Sequence, residues 1–225
     1  MWQLALPLGI HAEQTFDTFH VSGDNAIAVA SVQSLVLGRS DEPQLFLWGE
    51  QGAGKSHVLT AACHAASETG LRVAYLRGEH LNDADALLGV ESCDLLCLDD
   101  VHKLSNAAEE SLFHAMNRCR EAGTRLLISA NAEIQDLSID LADLRTRLQW
   151  GPKFPLIMLR DEAVYNALEQ LLMARDLEWS DDVVPYMLKR FPRDMGALRR
   201  TVMKLDAASM QAKRRITIPF LKTVL

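Results

Sequence analysis

A single octapeptide constrains the fold of this chain more than any other segment. Residues 49–56 form the run Gly-Glu-Gln-Gly-Ala-Gly-Lys-Ser and match the phosphate-loop pattern G-x-x-x-x-G-K-[ST] without a gap. The apolar run 45–48 precedes the loop and a helical pattern follows it, which is the strand–loop–helix context that the motif requires. This arrangement predicts an α/β protein in which the loop lies at the carboxyl end of a buried strand.

The chemistry of phosphate binding needs the residue types that this loop contains. Glycines allow the backbone to curl until its N–H groups point at phosphate oxygens, and the N-terminus of the following helix favours negative charge. Lys55 supplies a positive charge for the β- and γ-phosphates, and the Ser56 hydroxyl is suited to Mg²⁺. A glycine-rich turn without a ligand is the alternative, which the match of both pattern and context disfavours. The candidate nucleotide-binding residues are Gly49, Gln51, Gly52, Ala53, Gly54, Lys55, Ser56 and His57.

Apolar runs alternate with helical patterns as far as residue 159. Strands are predicted at 45–48, 72–76, 95–98, 125–129 and 156–159, and helices at 25–37, 55–70 and 105–121. Continuous apolar runs separated by helices are typical of parallel strands that are covered on both faces. The sequence therefore predicts a five-stranded parallel sheet. Beyond it the patterns at 161–175, 181–191 and 196–212 are all helical, which predicts a small helical domain from residue 160.

Two adjacent carboxylates follow the third predicted strand. Asp99 and Asp100 end the run 95–98, so they are expected at the same sheet edge as the phosphate loop. Asp99 is the candidate to hold Mg²⁺, directly or through water, and Asp100 is the candidate to orient an attacking water. The alternative is that a strand-end aspartate caps the next turn.

The residues around these two motifs resemble the AAA+ class of P-loop NTPases, and within it the DnaA-like group. Residues 15–19, Thr-Phe-Asp-Thr-Phe, followed by Asn25, are similar to the DnaA motif that packs around adenine and ribose. Asn131 follows the fourth strand where the class carries a polar sensor, so the resemblance assigns it to the γ-phosphate or the attacking water; a plain loop asparagine is the alternative.

The resemblance also implies roles for two arginines. Residues 143–148, Asp-Leu-Arg-Thr-Arg-Leu, resemble the segment that carries the arginine finger, which makes Arg147 the finger and Arg145 its competitor. An arginine in a surface ion pair is the alternative. Arg193, in Phe-Pro-Arg-Asp-Met, resembles the sensor that reaches from the lid to the nucleotide, with Arg199 and Arg200 as alternatives.

The start of the chain is similar to peptides that bind the bacterial β sliding clamp. The candidate clamp-binding residues are Gln3, Leu4, Leu6, Pro7 and Leu8. The leucines would enter apolar clefts and Gln3 a polar pocket, whereas the alternative is a hydrophobic tail packed on its own domain. Clamp peptide, AAA+ core and lid, without a DNA-reading domain, together resemble the Hda family. The expected organisation is a clamp-binding peptide at 1–12, a nucleotide-binding core at 13–159 and a lid at 160–225.

Membership of that group implies a negative regulator of replication initiation. The resemblance implies an ADP-bound protein, tethered to the DNA polymerase III β sliding clamp, that stimulates hydrolysis of DnaA-bound ATP through Arg147. ADP or ATP and Mg²⁺ are the implied cofactors, with weak intrinsic ATPase activity at most. The alternatives are an autonomous ATPase of clamp-loader or helicase-loader type and a clamp adaptor without catalysis. A homodimer that hides the clamp peptide is compatible with the sequence.

Charge and cysteine usage limit the remaining classes. The net charge of −7 argues against autonomous DNA binding, so contact with DNA is expected only indirectly, through the clamp. The four cysteines form no C-x-x-C pair, which favours reduced thiols and a cytoplasmic location. No apolar run is long enough for a membrane span.

Overall fold

The computed structural model describes residues 14–81, 84–191, 195–212 and 214–225. The chain separates into two units, of which the first ends at Met158 and the second spans Leu159–Leu225. The strands of the first unit are β1 Gln44–Trp48, β2 Val73–Arg77, β3 Leu95–Asp99, β4 Arg125–Ala130 and β5 Lys153–Pro155. Its α-helices are α1 Ala26–Val36, α2 Lys55–Glu68, α3 Asn106–Ala122 and α4 Ala142–Leu148.

The five strands form one parallel sheet with the order β2-β3-β4-β1-β5. This confirms the predicted five-stranded parallel sheet. Because β4 lies between β1 and β3, the segments that follow these three strands leave the same edge of the sheet next to one another.

Alternate residues of each central strand enter two separate cores. Leu45 and Leu47 of β1 pack with α1 and α2, whereas Phe46 packs on the other face with α3 and α4. Leu95 and Leu96 of β3 divide in the same way. Burial on both faces explains why these strands are continuous apolar runs rather than alternating ones.

The fifth strand was predicted at 156–159, and this position is wrong. Pairing with β1 runs through residues 153–155 and ends with the Leu156 N–H, which donates to the Trp48 carbonyl at 2.7 Å. The backbone of Ile157 bonds instead to the side chain of Asn25, which accepts from the Ile157 N–H at 2.8 Å and donates to its carbonyl at 2.9 Å. An apolar run indicates burial, but the register against β1 decides which residues pair.

The short helix α4 is held at both ends by side chains from other elements. At its start, the buried Glu109 carboxylate of α3 accepts the N–H groups of Asp140 at 3.1 Å and Leu141 at 2.6 Å. At its end, the amide of Gln44 donates to the carbonyls of Arg147 at 3.0 Å, Leu148 at 3.3 Å and Trp150 at 2.9 Å. These bonds satisfy groups that a helix leaves without internal partners, and they fix α4 against the sheet.

Glu109→Ala is expected to lower the free energy of unfolding by about 1–3 kcal/mol, because two backbone donors at the start of α4 lose their acceptor. Urea unfolding followed by tryptophan fluorescence measures the change. Glu110→Ala is the matched control, since that neighbouring side chain is 82% exposed and its removal is expected to matter by less than about 0.5 kcal/mol. Equal destabilisation by the two variants would show that the buried carboxylate does not support α4.

The second unit is helical, as predicted, with α5 Asp161–Met173, α6 Val183–Arg190, α7 Met195–Ala212 and α8 Ile218–Val224. The sequence analysis missed α8, whose N-cap Thr217 accepts the Phe220 N–H. Buried residues of all four helices form one apolar cluster, and Arg175 pairs with Asp206 at 2.8 Å beside it. Within the described residues, no helix is both long and apolar enough to cross a membrane.

Candidate nucleotide-binding site

The loop after β1 has the shape that a phosphate group needs. Gly54, the N-cap of α2, adopts a φ of +97°, and no side chain caps the helix there. The first N–H groups of a helix have no internal acceptor, so an uncapped N-terminus beneath a glycine loop suits an anion. A Cβ at Gly54 would lie 2.7 Å from the Phe19 ring, so both the backbone conformation and the packing require glycine.

Lys55 lies folded against the loop. Its buried ammonium donates to the carbonyls of Gly49 at 2.8 Å and Glu50 at 3.0 Å. Burial lowers the pKa of this ammonium, and the nearby Asp100 and Asp99 carboxylates oppose that shift. The lysine therefore holds the loop closed through groups that a phosphate oxygen could replace as acceptor.

The segment at 15–19 packs on the outside of the loop. His57 of α2 donates through Nε2 to the Thr15 carbonyl at 2.9 Å, and its ring meets Phe19 edge-on at 5.2 Å between centroids. Phe19 in turn covers Gly54. The structure thus brings the two nucleotide-related motifs of the sequence together, with His57 between them rather than in the loop itself.

Asp99 ends β3 as a buried carboxylate with two hydroxyl partners. The Tyr75 hydroxyl donates to one oxygen at 2.5 Å, and the Ser129 hydroxyl donates to the other at 2.5 Å. Burial raises the pKa of Tyr75, and the charge of Asp99 raises it further. Sequence reasoning missed both partners. A tyrosine inside a buried strand was the available signal, because a buried hydroxyl needs an acceptor.

Asp100 and Asn131 meet across the ends of β3 and β4. Asp100 has a left-handed φ of +55°, and its N–H donates to the Ser129 hydroxyl at 3.0 Å. The Asn131 N–H donates to Nδ1 of His102 at 3.2 Å, and that nitrogen lies 4.0 Å from the Asp100 carboxylate. Burial lowers the pKa of His102, which matches its role here as a neutral acceptor. His102 was not anticipated from the sequence.

The residues at this sheet edge fit a nucleotide with a divalent cation. The glycine loop and Lys55 can receive phosphate, while the Ser56 hydroxyl and the Asp99 carboxylate are the hard oxygen ligands that Mg²⁺ prefers. Each Asp99 oxygen keeps a second lone pair beyond the hydroxyl that it accepts. Gln51 and Gly52 are exposed on the loop, whereas Ala53 is buried beneath it.

Arg147 lies elsewhere in the first unit. Its carbonyl bonds to Gln44, the first residue of β1, whereas the phosphate loop follows the last. Five strand residues separate these positions by about 13 Å. The guanidinium lies 4.0 Å from the Trp150 ring centroid and lines a cavity of about 490 Å³ with Asn117, Arg120 and Glu121.

Its competitor, Arg145, faces its own backbone. The Arg145 guanidinium donates to the Ile139 carbonyl, and its buried Nε has no hydrogen-bond partner among the described residues. Arg193 and the clamp-binding residues Gln3, Leu4, Leu6, Pro7 and Leu8 lie outside the described residues, so their roles remain predictions. Arg199 and Arg200, the alternatives to Arg193, lie on α7.

Two family models together match nearly the whole chain. Residues 10–154 match the bacterial DnaA ATPase domain, and residues 161–225 match the lid domain of Hda.

Solved structures agree in fold. Domain III of the Thermotoga maritima replication initiation protein DnaA is 22% identical, with a TM-score of 0.80 over 96% of this chain and 97% of that one. AMPPCP-bound DnaA from Aquifex aeolicus is 23% identical, with a TM-score of 0.74 over 89% of this chain and 67% of that one. The Thermotoga maritima RuvB Holliday junction branch migration motor is 19% identical, with a TM-score of 0.69 over 94% and 70%.

These matches confirm an AAA+ core with a C-terminal lid. The DnaA ATPase match spans more than half of the chain. The chain therefore belongs to the family of bacterial DnaA ATPase domains, as a Hda- and DnaA-like AAA+ protein.

Proposed function

We propose that this protein binds an adenine nucleotide, with ADP as its working form, and stimulates hydrolysis of ATP bound to a DnaA protein. A Hda-type lid on a DnaA-type ATPase domain fits a DnaA-regulatory role in general. The finer proposal is negative regulation: conversion of DnaA-bound ATP to ADP would end the initiating state.

The position of Arg147 is the observation that carries this proposal. Its backbone lies at the opposite edge of the sheet from the chain's own phosphate loop, and its guanidinium borders a cavity. From there it is placed to reach a neighbour's nucleotide. A guanidinium supplied by a neighbour stabilises the charge that develops on a transferring phosphoryl group. Arg145 is less suited, because it is held by the Ile139 carbonyl.

The chain's own nucleotide has a structural part in this proposal. The uncapped α2, Lys55 and the segment at 15–19 supply phosphate and base contacts, and a DnaA of the same fold was solved with AMPPCP. Ser56 and Asp99 would hold Mg²⁺, which when bound neutralises phosphate charge. Asp100 and Asn131 would orient water, and Arg193 would contact phosphate from the lid.

The clamp-binding residues Gln3, Leu4, Leu6, Pro7 and Leu8 would tether the protein to a β sliding clamp on DNA. A tether raises the local concentration of the protein without any new contact to its target. DNA would then be contacted only through the clamp. This part of the proposal depends on the sequence pattern alone.

The test is single-turnover hydrolysis of radiolabelled ATP already bound to DnaA, with this protein, ADP and clamp-loaded DNA. We expect faster hydrolysis with the intact chain, and loss of the effect at low protein concentration after deletion of residues 3–8. Restoration at high concentration would identify the deletion as loss of a tether rather than of folding. No acceleration at any concentration would overturn the proposal.

An autonomous ATPase is the second candidate, favoured by the complete phosphate loop and acidic strand end. Steady ATP turnover by this chain alone, lost in Lys55→Ala, would support it. A clamp adaptor without catalysis would leave DnaA-bound ATP unaffected while still binding the clamp.

A further inference from the structure

Asp100, the carboxylate proposed to orient water in this chain's own site, is engaged by a lysine three residues later. The Lys103 ammonium lies 2.8 Å from Oδ2 of Asp100. The same ammonium lies 3.6 Å from Glu79, at the end of β2. Lys103 therefore has two acidic neighbours, and the nearer is the catalytic candidate.

The backbone fixes the geometry of this pair. The Asp100 N–H donates to Ser129, and its carbonyl accepts the Lys103 N–H at 2.9 Å. Gly78 lies so close that a Cβ there would approach the Asp100 carbonyl oxygen to 2.3 Å. The turn from Asp100 to Lys103 is thus held on three sides, and the ammonium is directed to the carboxylate by the turn itself.

An ion pair of this kind opposes general-base chemistry. A carboxylate that already accepts from an ammonium is a weaker acceptor for the proton of a water molecule. The hydrogen bond to Asp100 raises the pKa of Lys103, so the lysine stays charged at neutral pH. The lysine side chain is 44% exposed, and the contact serves no buried core.

We propose that Lys103 restrains Asp100 and so keeps this chain's own site in a nucleotide-retaining state with slow hydrolysis. This inference rests on the proposed function, in which the site binds an adenine nucleotide and Asp100 orients water. It gives the chain a way to keep the complete set of site residues and still act mainly on a partner's nucleotide.

The experiment compares Lys103→Ala with wild type in two measurements on the full chain. We expect its kcat for ATP to rise about tenfold, a part of the 10²–10⁴ that a general base contributes. The affinity for AMPPCP, measured by calorimetry with Mg²⁺, is expected to stay within about twofold, because the lysine restrains catalysis rather than binding. The double variant Lys103→Ala with Asp100→Asn is expected to lose the gain.

Arg72→Ala is the matched control, since Arg72 pairs with Asp94 at 3.1 Å at the opposite end of β3. Its kcat is expected to equal that of wild type. Unchanged or reduced turnover in Lys103→Ala, with AMPPCP binding intact, would overturn the inference and leave nucleotide binding standing. A gain that survives Asp100→Asn would also overturn it. Failure of wild type to bind either ADP or AMPPCP would instead contradict the proposed function.

Discussion

Arg147→Ala is expected to reduce the stimulated hydrolysis of DnaA-bound ATP by about 10³-fold or more, because a trans arginine contributes on the order of 10³–10⁵ in rate. The free protein should change little. Arg147 makes stacking contacts with Trp150 at 4.0 Å and Phe113 at 5.5 Å, and such contacts at exposed sites stabilise by about 0.5–1 kcal/mol. The measurement is the single-turnover assay, with ADP affinity and thermal unfolding as checks on folding.

Arg120→Ala is the control that separates transition-state stabilisation from loss of surface packing. The Arg120 guanidinium also lies 4.0 Å from the Trp150 ring centroid and borders the same cavity, but it belongs to α3 rather than to the finger segment. We expect its stimulated rate to stay within about tenfold of wild type, as for loss of one surface contact. Equal loss in both variants would mean that the cavity surface, and not one guanidinium, is required. Full activity in Arg147→Ala and loss in Arg145→Ala would move the finger to Arg145.

Lys55→Ala is expected to weaken ADP and ATP binding by about 10- to 100-fold, the range that corresponds to losing charge-assisted hydrogen bonds of 1.5–3 kcal/mol. The structural reason is twofold. The variant loses the only lysine of the loop, and the carbonyls of Gly49 and Glu50 lose the donor that holds them. Calorimetric titration of ADP measures the effect.

Lys153→Ala serves as the control for Lys55. Lys153 also donates to two backbone carbonyls, those of Gln149 at 2.7 Å and Gly151 at 3.1 Å, but it lies in β5 and is exposed. Its ADP affinity should match wild type. If Lys55→Ala retained wild-type affinity, the loop would not be the phosphate site, and the proposed role of ADP would fail with it.

The sequence was sufficient for the features that depend on short-range pattern. The phosphate loop is contiguous, and its glycines, lysine and flanking strand can be recognised without knowledge of the rest of the chain. The central strands could be placed because residues 45–48, 95–98 and 125–129 are apolar on both faces. Helix α3 could be ended at Gly123, which adopts the left-handed C-cap conformation.

Features that depend on pairing between distant segments could not be predicted. The fifth strand lies at 153–155 because β1 bonds there and Asn25 occupies the backbone of Ile157. The partners of Asp99 come from β2 and β4, and only the register of the sheet brings Tyr75 and Ser129 to it. Hydrophobic pattern fixes which faces are buried, but it carries no information on which polar groups then face each other.

The two arginines of α4 show the division most clearly. By itself the sequence determined a nucleotide-binding α/β core with a helical lid, and it offered Arg145 and Arg147 without a physical ground to separate them. Tertiary structure decided that one faces the Ile139 carbonyl and the other Trp150 at a cavity. The reason is that Glu109 and Gln44, distant in sequence, fix both ends of α4 and so set the direction of each side chain.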